Sequence, residues 1–423
     1  MEFFIKNNFI NHKTHNVETN KILLQLYKDI YTAYIKLNNL KKLPFYTITI
    51  KRINNINDIS KPKYFKSDSI PLDIRNHIDN ISLYEISYTF FIINRTITIH
   101  FIIEHDNPSS QLNKYNEYVE WIVIWLNILN IYASKTCSKS LIIYLYFTSL
   151  EKHLPSSNIE ILDQHNVNTA FTSTCPVFSE IIIYRKEEWF KVFIHETFHN
   201  FGLDFSDMNT SECNKKILSI FKVNSSVNLY ESYTEVWATI LNSLFCSFFL
   251  LKNKKNYTLF LSQAEFLINF EKTYSFFQLI KILNFMGLNY SDLYSEDQTS
   301  ISLRNTLYKE KTNVLAYYII KLILLNDYPS FLKWCKSHNL SLLAFQKTKK
   351  NQLEFCDFIH SLYLSPSMLE GIHNTNYFLK NHPSFKSKSI QNQTTSKSTL
   401  KLNTKSSTTY LLSNLRMTIW EMS

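Results

Sequence analysis

The residues best suited to chemistry lie in one stretch, "VFIHETFHNFGLDFSD", residues 192 to 207. His195 and His199 are four positions apart, so on a helix both imidazoles lie on one face and can reach a single ion, with Glu196 beside them. That spacing suits zinc, which takes neutral imidazole nitrogens at about 2.0–2.1 Å and benefits from a carboxylate placed to take a proton from water. The flanking residues Trp189, Phe190, Val192, Phe193, Ile194, Phe198 and Phe201 predict a buried helix. Two histidines and a glutamate inside such a helix require a partner, because an unpaired buried charge is strongly unfavourable. Gly202, one of only three glycines in 423 residues, follows at once and suits the left-handed conformation that ends a helix.

A catalytic zinc takes three protein ligands. A third histidine in the metzincin spacing would stand at position 205, which is Phe205. Asp204 and Asp207 are near enough to be weighed as ligands, although Ser206 and Asp207 also suit the start of the next segment. A stronger candidate is "NLYESYTEVWATILNSLF" from Asn228, a helix whose only charges before Lys252 are Glu231 and Glu235, four apart on one face. Glu231 is assigned as third ligand, and Glu235 as the acceptor that orients a ligand histidine through its other ring nitrogen. Exchange of these two roles stays open, as does a solvated start to the helix.

Together the two helices resemble the gluzincin branch of zinc metallopeptidases, in which His-Glu-x-x-His is followed by a second helix bearing Glu and, four residues on, an acidic group. Glu231 and Glu235 in "YESYTEVWA" match that second motif, though the interval of 32 residues from His199 to Glu231 is longer than in thermolysin-like members. The stretch "IIIYRKEEWFKVFIHETFHNFGLDFS" is also similar to predicted metallopeptidases of large nucleocytoplasmic DNA viruses. The resemblance spans roughly residues 165 to 250.

It implies a zinc-dependent endopeptidase: Zn2+ on His195, His199 and Glu231, with Glu196 as general base for water attacking a peptide carbonyl. A polypeptide substrate would add as a strand along an edge strand from Ser179 to Tyr184. The oxyanion donor would come from Tyr230, Tyr233, Tyr308, Tyr317 or His360. The implied location is intracellular, in host cytoplasm or virion, and not secreted. Two readings of other classes compete: a catalytically silent zinc-binding structural protein of the virion type, and a basic nucleic-acid-binding protein.

Hydrophobic periodicity predicts the elements that must position these residues. A helix over residues 17–42 precedes strands from Phe45 and Leu83, the latter folded back about Asn94 and Arg95. A buried helix from Asn116, a strand from Leu141, a loose stretch holding His153, His165 and Cys175, and the strand Ser179–Arg185 lead into the site helix, about 186–201. Beyond Gly202 the pattern becomes helical, over 211–223, 228–251, 261–285, 312–326 and 351–364. The fold class is therefore α+β, and zincin-like as the resemblance implies, with a mixed α/β lobe (1–205), a mostly helical lobe (206–378) and a basic low-complexity tail (379–423).

Composition narrows the classes further. With 45% hydrophobic residues the chain has ample core and is neither disordered nor fibrous. Most of the net charge of +10 sits between Gly371 and Trp420, where seven cations from Lys380 to Arg416 face no carboxylate. Such a tail is expected to be a solvated extension, unstructured over 384–409, with weak phosphate contacts as the alternative; the closing "YLLSNLRMTIW" could dock, at a place the sequence does not give, and removal of the tail is expected to spare the rest. The six cysteines, with no CxxC pair, predict thiols in a reducing compartment. Among them, Cys175 is read as buried and structural, or else as a thiolate approaching the metal. The first 16 residues lack the apolar core of a leader, and the longest apolar run, Val236–Leu251, is too short to span a membrane.

Overall fold

The structure, a computed structural model, describes residues 16–381 and 405–422. The N-terminal stretch read for a leader, and most of the 384–409 low-complexity segment, lie outside the described residues. A six-stranded mixed sheet is built from β1 (Tyr46–Arg52), β2 (Tyr84–Ile92), β3 (Arg95–Ile103), β4 (Ser140–Phe147), β5 (Ala170–Thr172) and β6 (Phe178–Ile183), in the order β1-β2-β3-β4-β6-β5. β1, β2 and β3 are antiparallel, β3–β4–β6 parallel, and β5 antiparallel to β6. The β2–β3 turn falls on Ile93 and Asn94, both at positive φ, as the twist of a two-residue hairpin requires.

Both faces of the sheet are covered. Alternation along each strand sends Phe101, Ile143, Leu145, Ile181 and Ile183 into the main core, and Ile102, Tyr144, Tyr146 and Ile182 into a smaller cluster beneath α2 (Leu72–Ile81). Double burial explains why these strands read as continuous apolar runs. It also corrects the expected edge strand at Ser179 to Tyr184. That segment is interior, because β5 pairs Ala170 with Ile183 and Thr172 with Ile181 along its outer side. A strand of three residues carries too little alternation to be legible beforehand.

The main core continues without a break through the helices. They are α1 (Val17–Leu40), α3 (Leu112–Tyr132), α4 (Trp189–Asn200), α5 (Ser211–Ile220), α6 (Leu229–Leu250), α7 (Tyr257–Met286), α8 (Gln298–Leu307), α9 (Lys321–Asn326), α10 (Tyr328–His338), α11 (Lys349–Leu362), α12 (Pro366–Asn381) and α13 (Lys405–Ser413). α4 lies between the sheet and α6 and is tied to α3 by the Trp125 indole, which donates to the Thr197 hydroxyl at 2.7 Å. None of the described helices is long and apolar enough to cross a membrane.

Two expectations fail. Cys137 and Cys175 form a disulfide across 38 residues, so the cysteines are not all thiols and Cys175 does not approach the metal ligands; Cys213, Cys246, Cys335 and Cys356 are free and buried. Nor is the end of the chain a solvated extension. Residues 414–422 run through the interior, where Leu415 and Thr418 are wholly buried. Glu188 accepts the amides of Met417 and Thr418 at 2.7 and 2.5 Å, and Glu271 accepts those of Ile419 and Trp420, both at 3.1 Å. The Lys321 ammonium donates to the Met417 carbonyl at 3.1 Å, and the Tyr318 hydroxyl to that of Leu415 at 2.6 Å. Arg416, counted in the basic tail, is ion-paired with Glu421 at 2.6 Å.

Removing this segment takes backbone donors from two buried carboxylates, and although Glu188 keeps its ion pair with Lys152, each lost bond to a charged group costs about 1.5–3 kcal/mol. Truncation after residue 409 is expected to lower the thermal midpoint by about 5–10 °C or to prevent folding. An unchanged melting curve for the truncated chain would show that the segment is dispensable.

Candidate metal centre

α4 carries the site because its helical period places Lys191, His195 and His199 on the side that meets α6, one turn apart from each other. α6 answers with Glu231 and Glu235, also one turn apart. Three ligand atoms converge: His195 Nε2 lies 3.1 Å from Glu231 Oε2 and 3.2 Å from His199 Nε2, and His199 Nε2 lies 3.5 Å from the same Glu231 oxygen. His195, His199 and Glu231 thus form a largely buried cluster close enough to hold one metal ion, as the sequence assigned.

The outer ring nitrogens explain the rest. His195 Nδ1 is 2.9 Å from Glu235 Oε2, and His199 Nδ1 is hydrogen-bonded to Asp204 Oδ2. With Nδ1–H donated outward in both rings, each Nε2 presents a lone pair inward. With both rings neutral, two lone pairs and a carboxylate oxygen face one another, an arrangement made favourable by a metal cation or, without one, by protons on the inner nitrogens. Glu231 is thus the carboxylate that completes the cluster, while Glu235 faces the outer nitrogen of His195. Asp204 does the same for His199, and Asp207 stands apart, paired with Lys347 at 2.8 Å.

Gly202 makes the Asp204 contact attainable. Its φ of +64° turns the chain so that the Leu203 amide bonds back to the Phe198 carbonyl at 2.8 Å, bringing Asp204 under the helix. Asp204 is fixed in turn by the Ser206 amide and hydroxyl at 3.1 and 2.8 Å. At the other end, Asn200 Nδ2 donates to the Thr172 hydroxyl at 2.8 Å, linking the site helix to β5.

Electrostatics separate the carboxylates into two kinds. Burial alone would raise the pKa of Glu231, but His199 and His195 hold it far below the usual carboxylate range. Against the same penalty, Lys191 and His195 bring Glu235 down to about 2. Glu196 differs: burial raises its pKa, and the neighbouring imidazoles offset this only in part. It makes no hydrogen bond or ion pair among the described residues, and it lines a cavity of about 30 Å³ with His195, Tyr317, Ala170 and Met417. A buried, unpaired carboxyl with a raised pKa in a cavity is the environment of a general base.

Of the tyrosines and histidine weighed as donors, Tyr317 reaches the centre. Its hydroxyl donates to Glu231 Oε2 at 3.0 Å from a π-helical turn, Leu315–Ile320, that leads into α9. Burial and Glu231 hold its pKa well above normal, so it keeps its proton. Tyr230 only edges the His199 ring, at 5.9 Å between centroids. Tyr233 donates into the core at the Leu343 carbonyl, 3.1 Å away. Tyr308 and His360 do not line the cavity.

Lys191, which pairs with Glu235, escaped the sequence reading. Its signal was present: a lone cation one turn before His195 in an apolar helix, matching the surplus carboxylate at Glu235. Compared with known proteins, the chain matches no family model, no curated protein and no solved structure.

Metal analysis after dialysis against a weak chelator checks these roles. Glu231→Ala is expected to lose the metal, whereas Glu235→Gln and Asp204→Asn retain it with affinity reduced about 10–100-fold. Stoichiometric metal in Glu231→Ala beside metal-free Glu235→Gln would reverse the assignment.

Proposed function

We propose that this chain is a zinc-dependent endopeptidase of gluzincin-like design. The observation that carries the reading is the inward-facing donor set of His195, His199 and Glu231 with unpaired Glu196 beside it. At zinc–ligand distances of about 2.0–2.1 Å, tetrahedrally placed ligand atoms stand about 3.3–3.4 Å apart; the separations here, 3.1, 3.2 and 3.5 Å, bracket that value. Zinc bound there would supply Lewis-acid activation of water and of a substrate carbonyl.

The remaining steps belong to side chains of this protein. Glu196, with its raised pKa, accepts the proton of the attacking water and returns it to the leaving amine. Tyr317, protonated and next to Glu231, donates to the oxygen on which charge develops. Glu235 and Asp204 hold the two imidazoles in the tautomer that leaves Nε2 free. Substrate docking moves from the expected Ser179–Tyr184 strand to β5, whose outer backbone edge no described strand covers and whose Ala170 lines the cavity.

Size sets a condition on turnover. A cavity of about 30 Å³ holds a water molecule but not a peptide. Beside this space, the loop before β5 is bonded to the segment before the π-helical turn: the Thr312 hydroxyl donates to Asn168 Oδ1 at 2.7 Å, and the Lys311 amide to the Leu162 carbonyl at 2.8 Å. On this proposal a peptide enters by parting these contacts. The small volume favours a second reading, a zinc-bearing protein without turnover.

Two variants test the proposal with a quenched peptide library as substrate. Glu196→Gln is expected to keep its metal and lose kcat by at least about 100-fold; a wild-type protein that is itself inactive towards every peptide favours the silent reading. Thr312→Ala removes one bond of about 1 kcal/mol from the closed state. It should raise kcat/KM by up to about fivefold, and a fall instead would mean that the contact belongs to the productive conformation.

A further inference from the structure

On the sheet face opposite the metal centre, α2 and the connection from Ile59 to Ile70 enclose a cavity of about 230 Å³. Its floor is the outer face of the sheet, with Tyr146 from β4 and Phe171 from β5, and its roof includes Ile78 of α2. Phe65 closes one side, its ring 4.9 Å from that of Phe171 in an edge-on contact. The interior is thus apolar and largely aromatic.

The rim is not. Lys61, Lys66 and Arg75 border the cavity together with one carboxylate, Asp79. Asp79 is satisfied by Lys61 at 3.2 Å, which leaves two cations over. Arg75 Nε is screened from solvent yet has no hydrogen-bond partner among the described residues. A guanidinium in that condition favours an incoming acceptor, and its planar fork matches a carboxylate. Asp79 close by weighs against a doubly charged phosphate and in favour of a monoanion.

We propose that this cavity binds a small hydrophobic carboxylate: the apolar body lies between Phe65, Phe171 and Ile78, and the acid group is received by Arg75 and Lys66. An apolar cavity of about 150 Å³ accommodates benzene, so the larger space here suits a phenyl ring bearing a short acid chain. Nothing in this assignment depends on peptidase activity, since the site lies across the sheet from α4.

Calorimetric titration of the full-length, metal-loaded protein with 3-phenylpropionate and with the uncharged 3-phenylpropan-1-ol tests it. The acid is expected to bind about tenfold more tightly than the alcohol. Arg75→Gln and Lys66→Gln, both at the rim, should erase that preference while leaving the alcohol's affinity and the metal content unchanged. N-acetylphenylalanine separates the two sources of such a ligand: binding as tight as the simple acid identifies the carboxyl end of a peptide, and weaker binding a free acid. Equal affinity for acid and alcohol, no binding of either at millimolar concentration, or a preference that survives Arg75→Gln would each overturn the assignment.

Discussion

Everything around the metal centre follows from burying more negative than positive charge in one place. Glu196, Asp204, Glu231 and Glu235 lie within or beside the site, and among the described residues Lys191 is the lysine paired into it. Carboxylates stay ionised in a low-dielectric interior only where each faces a donor or a cation. Asp204 and Glu235 meet that condition through the outer nitrogens of the histidines, which in turn fixes the inner nitrogens as acceptors. The deficit is thereby concentrated at a single point between His195, His199 and Glu231, where a metal ion would resolve it. Glu196 remains the exception, and a raised pKa is what keeps an unpaired carboxyl tolerable there.

That arrangement needs two helices held in fixed rotation, and the fold supplies it from both sides. On the sheet side, Thr197 is anchored by Trp125 and Asn200 by Thr172, so α4 cannot rotate without breaking buried hydrogen bonds. On the helical side, the α6 residues from Tyr233 to Leu241 are buried, which fixes the face bearing Glu231 and Glu235. Gly202 then bends the chain by the one turn that brings Asp204 beneath His199. A substitution at Gly202 would act through that bend before it touched the ligands.

What the sequence disclosed and what it concealed divide along contact range. The convergence of His195, His199 and Glu231 was legible because helical period converts a spacing of four into a shared face, and because two glutamates on an otherwise apolar helix admit few explanations. Strands and main helices were legible for the same reason. Asp204 was visible but misplaced among candidate ligands, since nothing local tells an inner nitrogen's partner from an outer one's. β5 was hidden by its three residues, and β6 consequently passed for an edge. The Cys137–Cys175 disulfide joins positions 38 apart, a pairing that spacing cannot reveal.

The closing segment was concealed by its composition. A run of Ser, Thr, Lys and Asn gives way at Tyr410 to a short stretch whose Leu411, Leu412, Leu415 and Trp420 allow docking but do not say where. In the folded chain that stretch is gripped at the backbone: Glu188 and Glu271 take its amides while Lys321 takes a carbonyl. Glu188 also immediately precedes α4, and Lys191, one turn inside that helix, touches Met417 Sδ at 3.9 Å while pairing with Glu235. The last residues of the chain are therefore linked through Lys191 and Glu235 to His195. A segment held by so many buried charges is a structural member of the site, because withdrawing it would leave Glu188 with Lys152 and Lys321 with Ser275 but take the backbone donors from Glu271 and the Met417 contact from Lys191, the lysine paired with Glu235.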